Sequence, residues 1–317
     1  MSPRLSVIIP TRNALSTLPR AMASALALPL DPIEIVVIDD GSTDGTWEWL
    51  EAATARDPRI VKLRRTANHG VSAARNAGIA VARAPLVGFL DADDIWQPEA
   101  IAARVRWHEA NRGTVLSFSD YKTLLPDGTL RARLLSYWPR FERFIAGRSG
   151  MLGLGREAFA LLVGENPVCT SSVIARSGAI LAAGGFDTKL RQAEDWDLWI
   201  RLCQHGAVAT STTSEIFHRD HPGSMTRKVA ERVASLRVVV RRHSGRAWRR
   251  APLAALSARC MLAQAETELA QHEHRPYAAL HHSVVAALYK PSPKLMRDAA
   301  RAALVVARLK PPVVQPA

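Results

Sequence analysis

Over the first 95 residues, short apolar runs alternate with helix-spaced stretches, and this alternation restricts the fold more than any other feature of the chain. Residues 5–10 (LSVIIP) form an apolar run closed by proline, and residues 14–28 carry helical spacing at Leu15, Leu18, Met22 and Ala25. Residues 33–38 (IEIVVI) run into Asp39-Asp40-Gly41-Ser42-Thr43-Asp44, a turn whose acids also suit the N-cap of a helix through Trp47 and Leu50. A third run at residues 60–63, a small-residue helix at 68–82 and a strand from Leu86 complete the series. The pattern predicts right-handed βαβ crossovers and a mostly parallel sheet covered by helices on both faces.

The strand from Leu86 (LVGFLDADDIWQP) leads into Asp91, Asp93 and Asp94. Three carboxylates within four residues repel one another, and burial raises the cost, so a cationic partner is expected. Mg²⁺ or Mn²⁺ takes oxygen ligands of this kind together with substrate phosphates. An acidic cap on a helix starting near Trp96 or Pro98 is the alternative. In an open α/β sheet, ligands bind beyond the carboxyl ends of the strands. Pro10-Thr11-Arg12-Asn13, Asp39-Asp40 and Asp91-Ala92-Asp93 all fall at such ends, which favours a functional site.

After Pro98 the rhythm loosens. Residues 100–111 read as a helix, 115–118 as a strand and Asp127-Gly128 as a turn. Residues 131–165, with Tyr137, Trp138, Phe141 and Phe144, suit either an acceptor-side insertion or packing under a long loop. Residues 168–175 are a strand candidate, and a helix over 177–183 stops at Gly184-Gly185. Glu194, Asp195 and Asp197 open a helix over 194–204, where acids in the first turn suit the helix dipole. A strand at 215–218 leads to the polar loop Arg219-Asp220-His221-Pro222-Gly223-Ser224.

From Val229 the chain reads as helices, with apolar stripes at Val229/Val233/Leu236/Val240, Tyr277/Leu280/Val284 and Leu295/Ala299/Ala302/Val306/Leu309. The net charge of +13 gathers here: residues 228–317 hold 16 Lys/Arg against 5 Asp/Glu, whereas residues 1–227 hold 26 against 24. The last stripe, with Lys294, Arg297, Arg301, Arg308 and Lys310 near it, suggests a helix lying on an anionic membrane surface. Packing of that stripe on the catalytic part or on a second subunit, as in a homo-oligomer, is the alternative. Few aromatics and no binding module argue against nucleic acid. Cys169, Cys203 and Cys260 lack metal-ligand spacing and form an odd set, so reduced thiols and a cytoplasmic setting are expected. The N-terminus shows no signal-peptide pattern, and no apolar run approaches the roughly 18 residues a membrane span needs.

The ordered segments SVIIPTRN, VVIDDGSTDGT, GVSAARNAG, FLDADD, GGFD and EDWDLWIRL resemble glycosyltransferase family 2 over residues 4–225. The resemblance implies the nucleotide-sugar-binding GT-A fold in residues 1–227, followed by a basic helical region in 228–317. It further implies that Pro10, Thr11 and Asn13 line a nucleoside pocket, that Asp40 accepts a hydrogen bond from the base beside Asp39, and that Arg75 faces the nucleotide. Asp91, followed by Ala92, would lie by the ribose, Asp93 would ligate Mg²⁺ or Mn²⁺, and Asp195 would be the general base of an inverting transfer. The donor would be a nucleoside-diphosphate sugar, a UDP-sugar above others. The acceptor would be a saccharide or a lipid-linked one, in cell-surface polysaccharide or glycolipid synthesis at the cytosolic face of the membrane. The QxxRW-type motif and membrane helices of processive synthases are absent, which implies addition of a single sugar. His218, Arg219 and His221 fall where the family has a loop that closes on the diphosphate. The chain lacks the GxGxxG of a dinucleotide-binding dehydrogenase after its first strand and the Gly-rich triphosphate loop of a nucleotidyltransferase. A non-catalytic nucleotide-sugar-binding or scaffold subunit is the remaining rival.

Overall fold

The computed structural model describes residues 2–125, 128–131, 138–219 and 228–309; Asp127, Tyr137, residues 220–224 with His221, and Lys310 lie outside them. The chain forms two compact units. One comprises Met1–Leu162, Asn166–Leu190 and Glu194–Ser224, the other Val163–Glu165, Arg191–Ala193 and Met225–Ala317.

The first unit opens with the alternation its sequence dictates: β1 (Leu5–Thr11), α1 (Leu18–Leu26), β2 (Ile33–Asp39), α2 (Thr46–Arg56), β3 (Ile60–Arg64), α3 (Val71–Val81) and β4 (Leu86–Phe89). These strands stand parallel in the order β3-β2-β1-β4. All of β2 and β4 is buried, as continuous apolar runs between two helical layers require. Small residues let α3 lie close on the sheet: a Cβ at Gly78 would come within 2.7 Å of Ile38 Cδ1 and Ile8 Cγ2.

Beyond β4 the sheet becomes mixed. The elements are β5 (Ile95–Trp96), α4 (Pro98–Ala110), β6 (Thr114–Leu124), β7 (Leu130–Arg131), α5 (Pro139–Ile145), β8 (Met151–Gly153), α6 (Ala158–Gly164), β9 (Ile174–Arg176), α7 (Ser177–Ala182), α8 (Glu194–Leu202) and β10 (Ala207–Arg219). The order continues β4-β9-β6-β10-β5, with β7 on β6 and β8 on β10. β6 and β10 are parallel, whereas β9 is antiparallel to both β4 and β6. The expected strand at 168–175 is therefore short, and a buried 3₁₀ turn, Thr170–Ser172, precedes it. Because β9 runs backwards, its beginning lies at the edge where the parallel strands end: Gly88 pairs with Ile174, and Phe89 N–H donates to Val173 O. The acidic cluster is not a helix cap, since Gln97 occupies the N-cap of α4 and no side chain caps it.

The second unit holds α9 (Val229–Arg250), α10 (Pro252–His272), α11 (Pro276–Tyr289) and α12 (Pro293–Leu309), each packed on the next. Alanines dominate its interior, among them Ala254, Ala258, Ala263, Ala279 and Ala286. They let helix backbones approach closely, which overrides the larger side chains in choosing the inner face. The stripe expected on α11 consequently points outward, with Tyr277 61% and Val284 42% exposed. The α12 stripe packs inward through Leu295, Ala302 and Val306.

Candidate active site

Two loops at the ends of β1 and β2 are tied together. Asp40 N–H donates to Thr11 O, Asn13 N–H donates to Ser42 Oγ, and Thr43 N–H donates to Asn13 Oδ1 at 2.8 Å. Asn13 adopts φ 50, a left-handed conformation that asparagine tolerates. Asp39 is fully buried and accepts from the Ser42 hydroxyl and N–H. Asp40 accepts from His69 N–H at 3.2 Å and Gly70 N–H at 2.9 Å, with Arg65 Nε 3.4 Å away, so it holds the start of α3. Pro10 is half-buried, and Thr11 is buried with no hydrogen-bond partner for its hydroxyl. Asp44 binds Thr46 and Leu15 N–H, which hold its carboxyl below the usual range despite the opposing effect of burial.

Across the same edge, α3, the β4 end and the start of α8 converge on Arg75. Its Nη2 donates to Asp91 Oδ1 at 2.8 Å and its Nη1 to Glu194 Oε1 at 2.9 Å, and its guanidinium lies 5.4 Å from the Phe186 ring centre. Only 3% of Arg75 is exposed; burial opposes its charge, but Asp91 and Glu194 more than restore it. Asp195, next in sequence, is partly exposed and has both carboxylate oxygens held: Trp196 N–H donates to Oδ1 at 2.6 Å and the Thr170 hydroxyl to Oδ2 at 3.0 Å. Burial raises the Asp195 carboxyl above the ordinary range against the pull of Arg75, and burial with the charge of Asp195 lifts Glu194 to about 7. A carboxylate whose pKa is raised above the ordinary range is a stronger base than an ordinary surface acid.

Asp91 and Asp93 are half-buried, and Ala92 and Asp94 are buried between and beside them. Asp94 Oδ1 lies 3.0 Å from His218 Nδ1 and accepts from Arg219 N–H at 3.1 Å, while its Oδ2 is buried without a hydrogen-bond partner. Burial lowers the His218 imidazole, but the Asp94 hydrogen bond and charge, with Asp93 and Asp91 behind, push it up to about 9. The structure thus brings Asp91, Asp93, Asp94, Arg75, Glu194, Asp195 and His218 to one edge, with the Asp39–Asp40 loop at the ends of the neighbouring strands.

The family model described as glycosyl transferase family 2 matches residues 6–159, which hold both loops and the acidic cluster. Over these residues the chain is similar to glycosyltransferase family 2. The succinoglycan biosynthesis protein ExoU of Rhizobium meliloti is 31% identical over 215 residues, an alignment that spans 63% of this chain and only 57% of that protein. TarS of S. aureus, solved with UDP-GlcNAc, superposes with a TM-score of 0.61 at 15% identity, covering 96% of this chain and 91% of TarS. The mannosyltransferase PcManGT of Pyrobaculum calidifontis, solved with GDP-Man and Mn²⁺, gives 0.57 at 20% identity, covering 97% and 81%. The architecture is the GT-A fold of these glycosyltransferases.

GT-A members of family 2 imply a divalent cation, and the residues present fit one. Carboxylates are donors that Mn²⁺ accepts, and Asp94 Oδ2 is a buried carboxylate oxygen without a hydrogen-bond partner. The Cys169 thiol, whose sulfur lies within 4.8 Å of ligand atoms of Asp94 and His218, does not share this chemistry. Burial, then Asp94 and Asp91, push it well above the usual range, so it stays protonated and a poor ligand.

The turn Thr170–Ser172 is not legible in the sequence as part of the candidate site. Asp91 N–H donates to Ser171 Oγ at 3.1 Å, Trp96 Nε1–H to Ser171 O at 2.7 Å, and Arg104 Nη1 to Ser172 O at 2.5 Å. The one available signal was the polar run Cys169-Thr170-Ser171-Ser172 before an apolar strand. It points to the site only once β9 is known to run antiparallel.

Proposed function

We propose that the chain is an inverting, non-processive glycosyltransferase. It moves one sugar from a nucleoside-diphosphate sugar, a UDP-sugar above others, to an acceptor hydroxyl. The observation that carries this is the pair of carboxylates joined through one buried cation: Asp91 on Arg75 at the β4 end, and Glu194 on the same guanidinium beside Asp195. Such a frame sets a base at a fixed place relative to the donor. Asp195 takes the proton of the acceptor hydroxyl as its oxygen attacks the anomeric carbon. The nucleoside diphosphate leaves from the opposite face with the bonding electrons, and the configuration inverts. Asp39, Asp40, Thr11 and Asn13 shape the nucleoside end, and Asp91 lies toward the ribose. A divalent cation, held by Asp93 with Asp91 and Asp94, would offset charge on the departing diphosphate as a Lewis acid. The UDP-GlcNAc in TarS supports the donor class, and the Mn²⁺ in PcManGT supports the metal.

The similarity to ExoU, a succinoglycan biosynthesis protein, supports an acceptor in polysaccharide synthesis; we place that synthesis at the cell surface, from the cytosolic face of the membrane. No helix among the described residues is long and apolar enough to cross a membrane. Contact with an anionic membrane falls instead to the exposed side of α12, which carries Met296, Leu304, Arg297, Arg301 and Arg308.

Nucleoside diphosphate release from UDP-glucose, UDP-N-acetylglucosamine and GDP-mannose tests the activity, each assayed with Mn²⁺ or with EDTA and with saccharide acceptors. Turnover of at least one donor, abolished by EDTA, is the expected result. Silence across the series with nucleotide binding intact would identify the non-catalytic subunit instead.

A further inference from the structure

Both oxygens of Asp195 are occupied by donors of different kinds. The Trp196 N–H on Oδ1 belongs to the helix backbone and comes with any residue at that position. The Thr170 hydroxyl on Oδ2 is a side-chain choice, made 25 residues away on a different element. Thr170 is 6% exposed, and Ser171 and Ser172 are fully buried.

The turn that carries Thr170 is itself fixed on every side. Ser172 N–H and Oγ–H both donate to Cys169 O, and Val173 N–H donates to Thr170 O, which closes the 3₁₀ geometry. Arg104 holds Ser172 O from α4, and its Nε lies 2.8 Å from Glu215 Oε2 of β10. Trp96 of β5 holds Ser171 O, and Ser171 Oγ receives the N–H of Asp91. One turn therefore touches the Asp195 side chain through one residue and the Asp91 main chain through the next.

We infer that Thr170 is the positioning residue of the general base: its hydroxyl fixes the plane of the Asp195 carboxylate and sets its distance from the donor-side Asp91. This rests on the assignment of Asp195 as base. With Oδ1 and Oδ2 each accepting one hydrogen bond, rotation about Cβ–Cγ is suppressed, and the remaining lone pairs face a fixed direction. Thr170 acts through Asp195, to which its hydroxyl donates, so its effect belongs to turnover and not to donor binding.

The substitutions Thr170→Val, Thr170→Ala and Thr170→Ser separate hydroxyl from packing. They are compared on whichever of UDP-glucose, UDP-N-acetylglucosamine or GDP-mannose the unaltered chain turns over fastest. Loss of one hydrogen bond to a charged group should lower kcat by about 10- to 100-fold in the Val and Ala variants. Donor KM should stay within about twofold, and Ser should restore most of the turnover. In an Asp195→Asn background the Val substitution should cost nothing further, because the group it orients is gone. Wild-type kcat in T170V, equal loss in T170S and T170V, or an additive loss with D195N would each overturn the assignment. Near-normal turnover of D195N alone would be a different failure: it removes Asp195 from the base role, and the role of Thr170 falls with it.

Discussion

At the scale of single residues, the site depends on one cation with two anions. Arg75 is buried, and its Nη1 and Nη2 serve different carboxylates, a geometry that the planar guanidinium can satisfy and a lysine ammonium cannot. Removing one member of a buried ion network leaves the others uncompensated, at a cost of about 3 to 5 kcal/mol. Arg75→Met should therefore destabilise the chain by that amount in urea unfolding, and Arg75→Lys by an intermediate amount. An Arg75→Met protein within about 1 kcal/mol of the original would mean that water already compensates Asp91 and Glu194. The sequence marks Arg75 as a residue of interest on a helix after a glycine, facing a nucleotide. It does not show that Glu194, 119 residues away, shares the guanidinium. Partners so distant are set by the sheet order, and no local spacing encodes them. Asp40 shows the same limit: Asp39-Asp40-Gly41 announces a turn, but the amides of His69 and Gly70 that Asp40 receives are fixed only when β2 and α3 meet.

At the scale of elements, periodicity shows that a helix has an apolar side but not which of two apolar sides packs inward. In α12 the inner side is Leu295, Ala302 and Val306, and the outer side keeps Met296 at 63% and Leu304 at 60% exposure. At 100° per residue, Met296, Ala300, Ala303, Leu304 and Ala307 fall in one arc, with Arg297, Arg301 and Arg308 in the next. An apolar arc flanked by cations suits an anionic headgroup layer, with the arginine stems lying along it. Each basic residue near such a surface is worth about 1 kcal/mol. The full chain should sediment with vesicles containing phosphatidylglycerol, release at high salt and ignore purely zwitterionic vesicles. Replacing the three exposed arginines with glutamate should lower binding by at least 100-fold, given about 3 kcal/mol for their charges. Undiminished sedimentation of the triple variant would remove α12 from the contact. β1, β2 and β4 are readable for the reverse reason: each is an apolar run buried on both faces, so pattern and packing coincide. The extent and direction of β9 are not legible, because Ile174-Ala175-Arg176 carries no mark of direction and its approach at 168–173 fits a strand equally well.

Across the whole molecule, acid stability falls to a histidine outside the site. His108 is fully buried, its Nε2 is 2.8 Å from Ser117 Oγ, and its Nδ1 has no hydrogen-bond partner. Burial, then the charges of Arg104 and Arg176, bring its imidazole from 6.5 down to about 3. The unfolded chain takes up this proton near pH 6.5 and the folded chain only near pH 3. Protonation thus favours unfolding: stability is full above pH 6.5 and declines as pH falls toward 3, at about 1.4 kcal/mol per unit. Between pH 7 and 4.5, urea unfolding of the original chain should lose about 2 to 3 kcal/mol more than that of His108→Gln. Equal losses would assign the acid sensitivity to other groups. The sheet order has a further consequence, during synthesis. The half-sheet β3-β2-β1-β4 is complete at Phe89, but the strand that covers the outer edge of β4 begins only at Ile174. At 5 to 20 residues per second, the ribosome needs roughly 4 to 17 s to make the intervening segment. A nascent chain spends that interval with the backbone amides and carbonyls of one buried strand open to any passing polypeptide, until a three-residue strand running the other way seals the edge.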